Sequence, residues 1–220
     1  MKNARQRRPR ARSNAPLSQH PPGIGTLLDP GMLYIDGFLT PDQCARILHE
    51  LDTAAWERSL TYQPQQDGEY LDMALPLRVS QTAHQQSFSA GLRAMLRGVE
   101  RRIERLFGVP PAYLEAWQAA DYPQQGRFGY HLDAGYFDDD PAGDRVLTFL
   151  VYLTTPLKGG GTHFLNLDQY VTAEAGRLVV WENLLPDGRS NPDRIHAGTP
   201  VLRGRKTTLV NWQRQRVCRT

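Results

Sequence analysis

Residues 127–137 read RFGYHLDAGYF and residues 145–154 read RVLTFLVYLT. Both runs are short, rich in aromatic and branched side chains, and bounded by Gly, Pro and Asp, which marks them as β-strands rather than helices. Reading outward, the same texture recurs in LEAWQAADY (114–122), THFLNL (162–167), GRLVVWEN (176–183) and KTTLVNWQ (206–213). Seven or eight strands at this spacing predict a β-sandwich or barrel. No internal repeat is visible.

Upstream the texture is helical. After the apolar run 33–39, Thr40-Pro41-Asp42-Gln43 combines an N-cap, a first-turn proline and the second half of a capping box. Ile47, Leu48 and Leu51 follow at helical spacing. A second helix is predicted from about Gln85 to Phe107, with Leu92, Leu96, Val99 and Ile103 on one apolar stripe and Gly108 and Pro110 stopping it. Leu77-Arg78-Val79-Ser80 reads as a short strand between the helices. Two leading helices and a closing β-region predict a mainly β fold. That fold is a jelly roll, or double-stranded β-helix, buttressed by helices.

The chain has 220 residues, two cysteines (Cys44 and Cys218, with no CxxC) and no apolar run approaching 18 residues. A disulfide scaffold, a cysteine zinc site and a membrane helix are excluded, and a cytoplasmic location is expected. Of its 26 basic residues, six fall within residues 1–14, which hold no acid, so the rest of the chain is net acidic. A basic body gripping nucleic acid is not supported. The expected organisation is a disordered basic arm over 1–30 and one domain over 31–220. Within that domain, 31–112 provide helical support and 113–220 the β core. Any contact with nucleic acid would come through the arm.

Of six histidines, His20, His49 and His84 read as tail or surface residues, leaving His131, His163 and His196 in the β-region. Alternate strand residues share a face, so His131 and Asp133 project together. With His196 as a third donor they form a two-histidine, one-carboxylate set suited to Fe(II) with open positions. Taken alone, His131 and Asp133 fit a hydrogen-bonded pair as well as two ligands. Lys206, ten residues after His196, fits a cation facing the carboxylate of a dicarboxylic acid, or a solvated strand end.

The order of these pieces resembles the prolyl 4-hydroxylase-like branch of the Fe(II)- and 2-oxoglutarate-dependent oxygenases. The pieces are Tyr122, Gly126, YHLD, the 145–154 strand, the Gly159–Phe164 turn, GRLVVWEN, HAGTPVLRGRK and VNWQR, with Arg78-Val79-Ser80 upstream. The resemblance implies His131, Asp133 and His196 as the iron ligands and catalytic centre. It also implies Lys206 and Tyr152 on the distal carboxylate of 2-oxoglutarate, Tyr122 near its keto-acid end, and Thr162 in the same pocket. His163 receives no role. The implied cofactors are Fe(II), 2-oxoglutarate and O2, with ascorbate as an auxiliary reductant. The implied reaction hydroxylates an aliphatic C–H of a peptidyl, amino-acid or small-molecule substrate with release of succinate and CO2. The residues also leave room for a non-enzymatic jelly-roll protein with an RNA-binding arm. The acidic run 138–144 reads either as a lip for a cationic substrate or as a solvated loop, and segment 60–76 as a lid.

Overall fold

The computed structural model describes Leu17 and residues 24–64, 70–73, 77–137 and 139–219. In chain order the elements begin with β1 (Thr26–Asp29), β2 (Met32–Ile35), α1 (Pro41–Leu51), β3 (Glu57–Arg58), β4 (Thr61–Pro64) and β5 (Tyr70–Met73). Next come β6 (Arg78–Val79), β7 (Gln81–His84), α2 (Ala90–Phe107), β8 (Gln118–Tyr122), β9 (Arg127–His131) and β10 (Arg145–Tyr152). The chain continues through β11 (Lys158–Gly159), β12 (Thr162–Phe164), β13 (Gln169–Val171) and β14 (Leu178–Glu182). It closes with β15 (His196–Gly198), β16 (Val201–Arg203) and β17 (Lys206–Arg214).

Two antiparallel sheets carry the architecture. The larger has the order β1-β2-β14-β10-β17-β8-β7-β3, and the smaller β13-β12-β15-β9-β6. The larger sheet is covered on both faces, which explains why residues 145–154 carry apolar side chains on both faces instead of alternating. On β10, Leu147, Phe149 and Val151 join the cluster that holds Ile47 and Leu51 of α1 and Leu92, Leu96 and Ile103 of α2. The intervening Thr148 and Leu150 face the other way, into a cavity shared with residues of the smaller sheet.

α1 begins where its sequence predicts. The Thr40 hydroxyl accepts from the Gln43 N–H at 3.2 Å, and the Gln43 side chain accepts from the Thr40 N–H at 2.9 Å. The second helix begins later than expected. Residues 85–87 form a separate 3-10 turn, and α2 starts after Ser89, whose hydroxyl accepts from the Leu92 N–H at 2.9 Å.

The expected arm boundary at residue 30 is corrected. Residues 26–29 form β1 on the edge of the larger sheet, and Asp29 Oδ2 pairs with the buried Arg194 Nη2 at 2.8 Å. Leu17 is also buried, with its N–H on Glu182. The charged residues 1–14 lie outside the described residues. In the 60–76 segment, β4 and β5 form a two-stranded hairpin, while 65–69 and 74–76 lie outside them. Among the described residues no helix is long and apolar enough to cross a membrane.

Candidate active site

Register brings the two histidines together. β15 pairs with β9 so that His196 lies opposite His131. β9 ends at His131, so Asp133 reaches the same point from the bend beyond it rather than from a continuing strand. One donor atom from each of His131, Asp133 and His196 lies within 4.8 Å of the others. His131 Nε2 stands 3.6 Å from Asp133 Oδ1, and His196 Nε2 stands 3.9 Å from Asp133 Oδ2.

The imidazoles are held in one tautomer. His131 Nδ1 donates to the Gly129 carbonyl at 2.8 Å, and His196 Nδ1 donates to the Arg194 carbonyl at 2.9 Å. A carbonyl only accepts, so the proton sits on Nδ1 and each Nε2 presents a lone pair to the centre. Burial, and then the charge of His196, lowers His131 to about 3. Burial pushes the Asp133 carboxyl up, but the two imidazoles and the Thr148 hydrogen bond outweigh it and hold the group below the usual range. Two imidazole nitrogens and one carboxylate make a donor set that fits Fe(II) and keeps part of its coordination sphere open.

A second set of groups supports the first. Thr148 donates to Asp133 Oδ2 at 2.7 Å, and Asn183 Nδ2 donates to Thr148 at 2.9 Å. Thr148 lies on the larger sheet, so this chain of bonds ties the two sheets together at the site. Phe128 stacks on His131 at 3.7 Å between centroids, and Trp181 meets His196 edge-on at 4.8 Å. Sequence reasoning missed these roles. The one available signal was the hydroxyl of Thr148 within an otherwise apolar strand.

The cavity of about 80 Å³ beside the triad holds Lys206, Tyr122 and Thr162. Lys206 on β17 lies in register with Tyr122 on β8, and its Nζ sits 4.1 Å from the Tyr122 ring centroid. Its side chain is only 2% exposed and has no acidic partner among the described residues. Burial, and then the charge of Arg78, lowers the Lys206 ammonium to about 7. A buried ammonium without a counter-charge is costly and fits an incoming carboxylate. Gly198 provides the space, since a Cβ there would lie 3.1 Å from Lys206 Nζ. The Tyr152 hydroxyl is hydrogen-bonded to Thr162 at 2.6 Å, so it acts on the cavity wall through that residue. Burial raises both Tyr122 and Tyr152, keeping their hydroxyls protonated.

Other expectations fall elsewhere. His163 sits outside the triad, with Nδ1 2.7 Å from the Tyr130 hydroxyl. Within the acidic run Asp139 is exposed, and two other acids are engaged. Asp140 pairs with Arg214 at 3.1 Å, and Asp144 accepts from the Gly135 N–H at 2.7 Å. Asp138 lies outside the described residues.

Residues 117–214 match the family described as the 2OG-Fe(II) oxygenase superfamily. Over this span the chain resembles that superfamily. Its members take Fe(II), 2-oxoglutarate and O2, and the donor set and cavity described above suit them. The chain is 32% identical over 124 residues to the prolyl 4-hydroxylase subunit alpha-1 of Gallus gallus, which covers 54% of this chain. It spans about a quarter of that relative's length, 24%. Among solved structures, it resembles the viral collagen prolyl hydroxylase of Paramecium Bursaria Chlorella virus-1 in its 2OG complex. That match has a TM-score of 0.57 and 20% identity, and covers 83% of this chain and 95% of the other. It also resembles a Trichoplax adhaerens prolyl hydroxylase in complex with a hypoxia inducible factor peptide fragment. There the TM-score is 0.57 with 15% identity, covering 84% of each chain. These two likenesses show the fold.

Proposed function

We propose that this protein is an Fe(II)- and 2-oxoglutarate-dependent dioxygenase that hydroxylates an aliphatic C–H of a prolyl or other peptidyl or amino-acid side chain. The observation that carries the reading is one cavity in which a two-histidine, one-carboxylate set stands beside a buried ammonium that has no acidic partner among the described residues. His131, Asp133 and His196 would hold the metal through Nε2, a carboxylate oxygen and Nε2. When bound, Fe(II) with 2-oxoglutarate and O2 supplies the oxidising chemistry that delivers one oxygen atom to the C–H and leaves succinate and CO2.

The chain's own residues bind, orient and shield. Lys206 neutralises the distal carboxylate of 2-oxoglutarate by a charge-assisted hydrogen bond. Thr162, oriented by Tyr152, shapes the same wall, and Tyr122 packs under the ammonium. Thr148 fixes Asp133, and the backbone carbonyls of Gly129 and Arg194 keep the imidazole lone pairs aimed at one point. Phe128 and Trp181 limit water on the flanks. The peptide-directed substrate class draws its support from the prolyl 4-hydroxylase relative and the peptide-bound neighbour.

The test couples succinate formation to a mass shift. Purified protein with Fe(II), 2-oxoglutarate and a panel of proline-containing peptides should form succinate in step with a gain of about 16 Da on one peptide, the mass of one oxygen atom. His131→Ala should lose both iron binding and turnover. Full turnover in that variant would exclude the metal reading.

A further inference from the structure

Of the two cations that line the cavity beside the triad, Lys206 and Arg78, one is left without a carboxylate among the described residues once 2-oxoglutarate is counted. A divalent metal, Asp133, the 2-oxoglutarate dianion and Lys206 together cancel in charge. Arg145 is neutralised by Glu115 at 2.8 Å, and Arg214 by Glu115 and Asp140, each at 3.1 Å. Arg78 lines both the cavity beside the triad and the groove of about 580 Å³ outside it. Among the described residues it has no carboxylate partner.

Its position is fixed from behind by neutral groups. Nε donates to Ser80 Oγ at 3.1 Å, Nη2 donates to Thr82 Oγ1 at 3.2 Å, and Nη1 donates to the Leu60 carbonyl at 3.4 Å. Ser59 bridges the two hydroxyls, at 2.7 Å from Ser80 and 2.6 Å from Thr82. Arg78 lies opposite Phe128 in the β6–β9 register, with its guanidinium carbon 4.4 Å from that ring's centroid. The same ring stacks on His131. A preorganised guanidinium thus stands one aromatic ring from a metal-site imidazole, at the junction of the cavity and the groove. Its geometry suits a carboxylate. Glu57, an acid of the groove wall, is already engaged with His84 at 3.1 Å.

We propose that Arg78 is a specificity-determining residue that binds a carboxylate of the substrate in the groove, beside the carbon that is oxidised. The proposal rests on the oxygenase reading above. The carboxylate has two chemical sources: an acidic side chain next to the reactive residue of a peptide, or the free α-carboxylate of an amino acid.

Two pairs of probes separate the sources. The first is acetyl-Glu-Pro-Gly-amide against its Gln counterpart, and the second N-acetylproline against its amide. Affinities are measured on the full chain loaded with Mn(II) and 2-oxoglutarate. The acid of at least one pair should bind about tenfold more tightly than its neutral partner, the scale of a charged hydrogen bond. The pair that responds identifies the source. Arg78→Gln should erase the preference, and Arg78→Lys should restore part of it, while 2-oxoglutarate affinity falls by no more than about twofold from the parent. Equal affinity of acid and neutral probes for the parent chain overturns the proposal without reference to any variant. So does a preference that survives in folded Arg78→Gln. A large loss of 2-oxoglutarate affinity in Arg78→Gln would assign the residue to the cosubstrate instead. If the parent binds no 2-oxoglutarate, the oxygenase reading itself fails, and this proposal with it.

Discussion

Lys206 is the residue on which the cosubstrate assignment turns. Truncating one member of a desolvated charge pair costs about 2–5 kcal/mol. Lys206→Ala should therefore weaken 2-oxoglutarate binding by roughly 30- to 4000-fold, at about 1.4 kcal/mol per decade. A titration of metal-loaded protein reads this directly, and an unchanged dissociation constant would remove Lys206 from the site. The same residue predicts a pH signature. In the free protein its ammonium sits at about 7, well below the ordinary lysine value, because it is buried and faces Arg78. A bound carboxylate favours the charged form and raises that value. Binding at pH 8 should thus take up close to one proton, and binding at pH 6 almost none. Calorimetry in two buffers of different ionisation enthalpy measures the uptake, and equal enthalpies at pH 8 would contradict it. Thr148 acts by positioning Asp133. Thr148→Val should weaken metal binding by about 10- to 100-fold, with Thr148→Ser recovering most of it. A structural role alone would lower the melting temperature without moving the metal's spectroscopic signature.

At the scale of the element, β15 shows how three residues serve two purposes. His196 opens it as a metal-site residue. Gly198 closes it and leaves the space that Lys206 Nζ occupies from β17. A β-carbon at 198 would stand 3.1 Å from that nitrogen, so the ammonium must move by a few tenths of an ångström. Gly198→Ala should raise the 2-oxoglutarate dissociation constant several-fold while leaving metal affinity near the parent value, and separate titrations of metal and cosubstrate distinguish the two. A parallel loss of metal affinity would mean that β15 as a whole had shifted. α1 offers a control remote from the site. Removing the Thr40 hydroxyl with Thr40→Ala should cost about 1 kcal/mol of stability without affecting either ligand.

Across the whole molecule, the N-terminal segment tests where the folded body begins. Deleting residues 1–16 should leave 2-oxoglutarate binding intact. Deleting 1–30 removes β1 and buried Leu17, and leaves Arg194, whose carbonyl orients His196, without Asp29. Losing one partner of a buried pair costs about 3–5 kcal/mol. The melting temperature should fall by roughly 6–20 °C at about 2–4 °C per kcal/mol. Equal melting temperatures for the two deletions would show that β1 contributes nothing. The sequence by itself determined the main strands of the β core, the capped first helix and the closeness of His131 to Asp133. These depend on local signals, namely turn residues, a capping box and side chains spaced along one segment. It also singled out Lys206, through the resemblance that the order of motifs along the chain carries. It misplaced the arm boundary, since Thr26–Asp29 becomes a strand only when β2 is there to pair with it. It could not show that two acids of the run 138–144 are engaged, Asp140 by Arg214 and Asp144 by a backbone amide. Only the tertiary structure decided that Thr148 reaches Asp133 across the two sheets, that Lys206 lacks an acidic partner among the described residues, and that Arg78 shares its wall. Each of these is a relation between residues far apart in the chain. Strand register and sheet packing set such relations, and no local pattern encodes them.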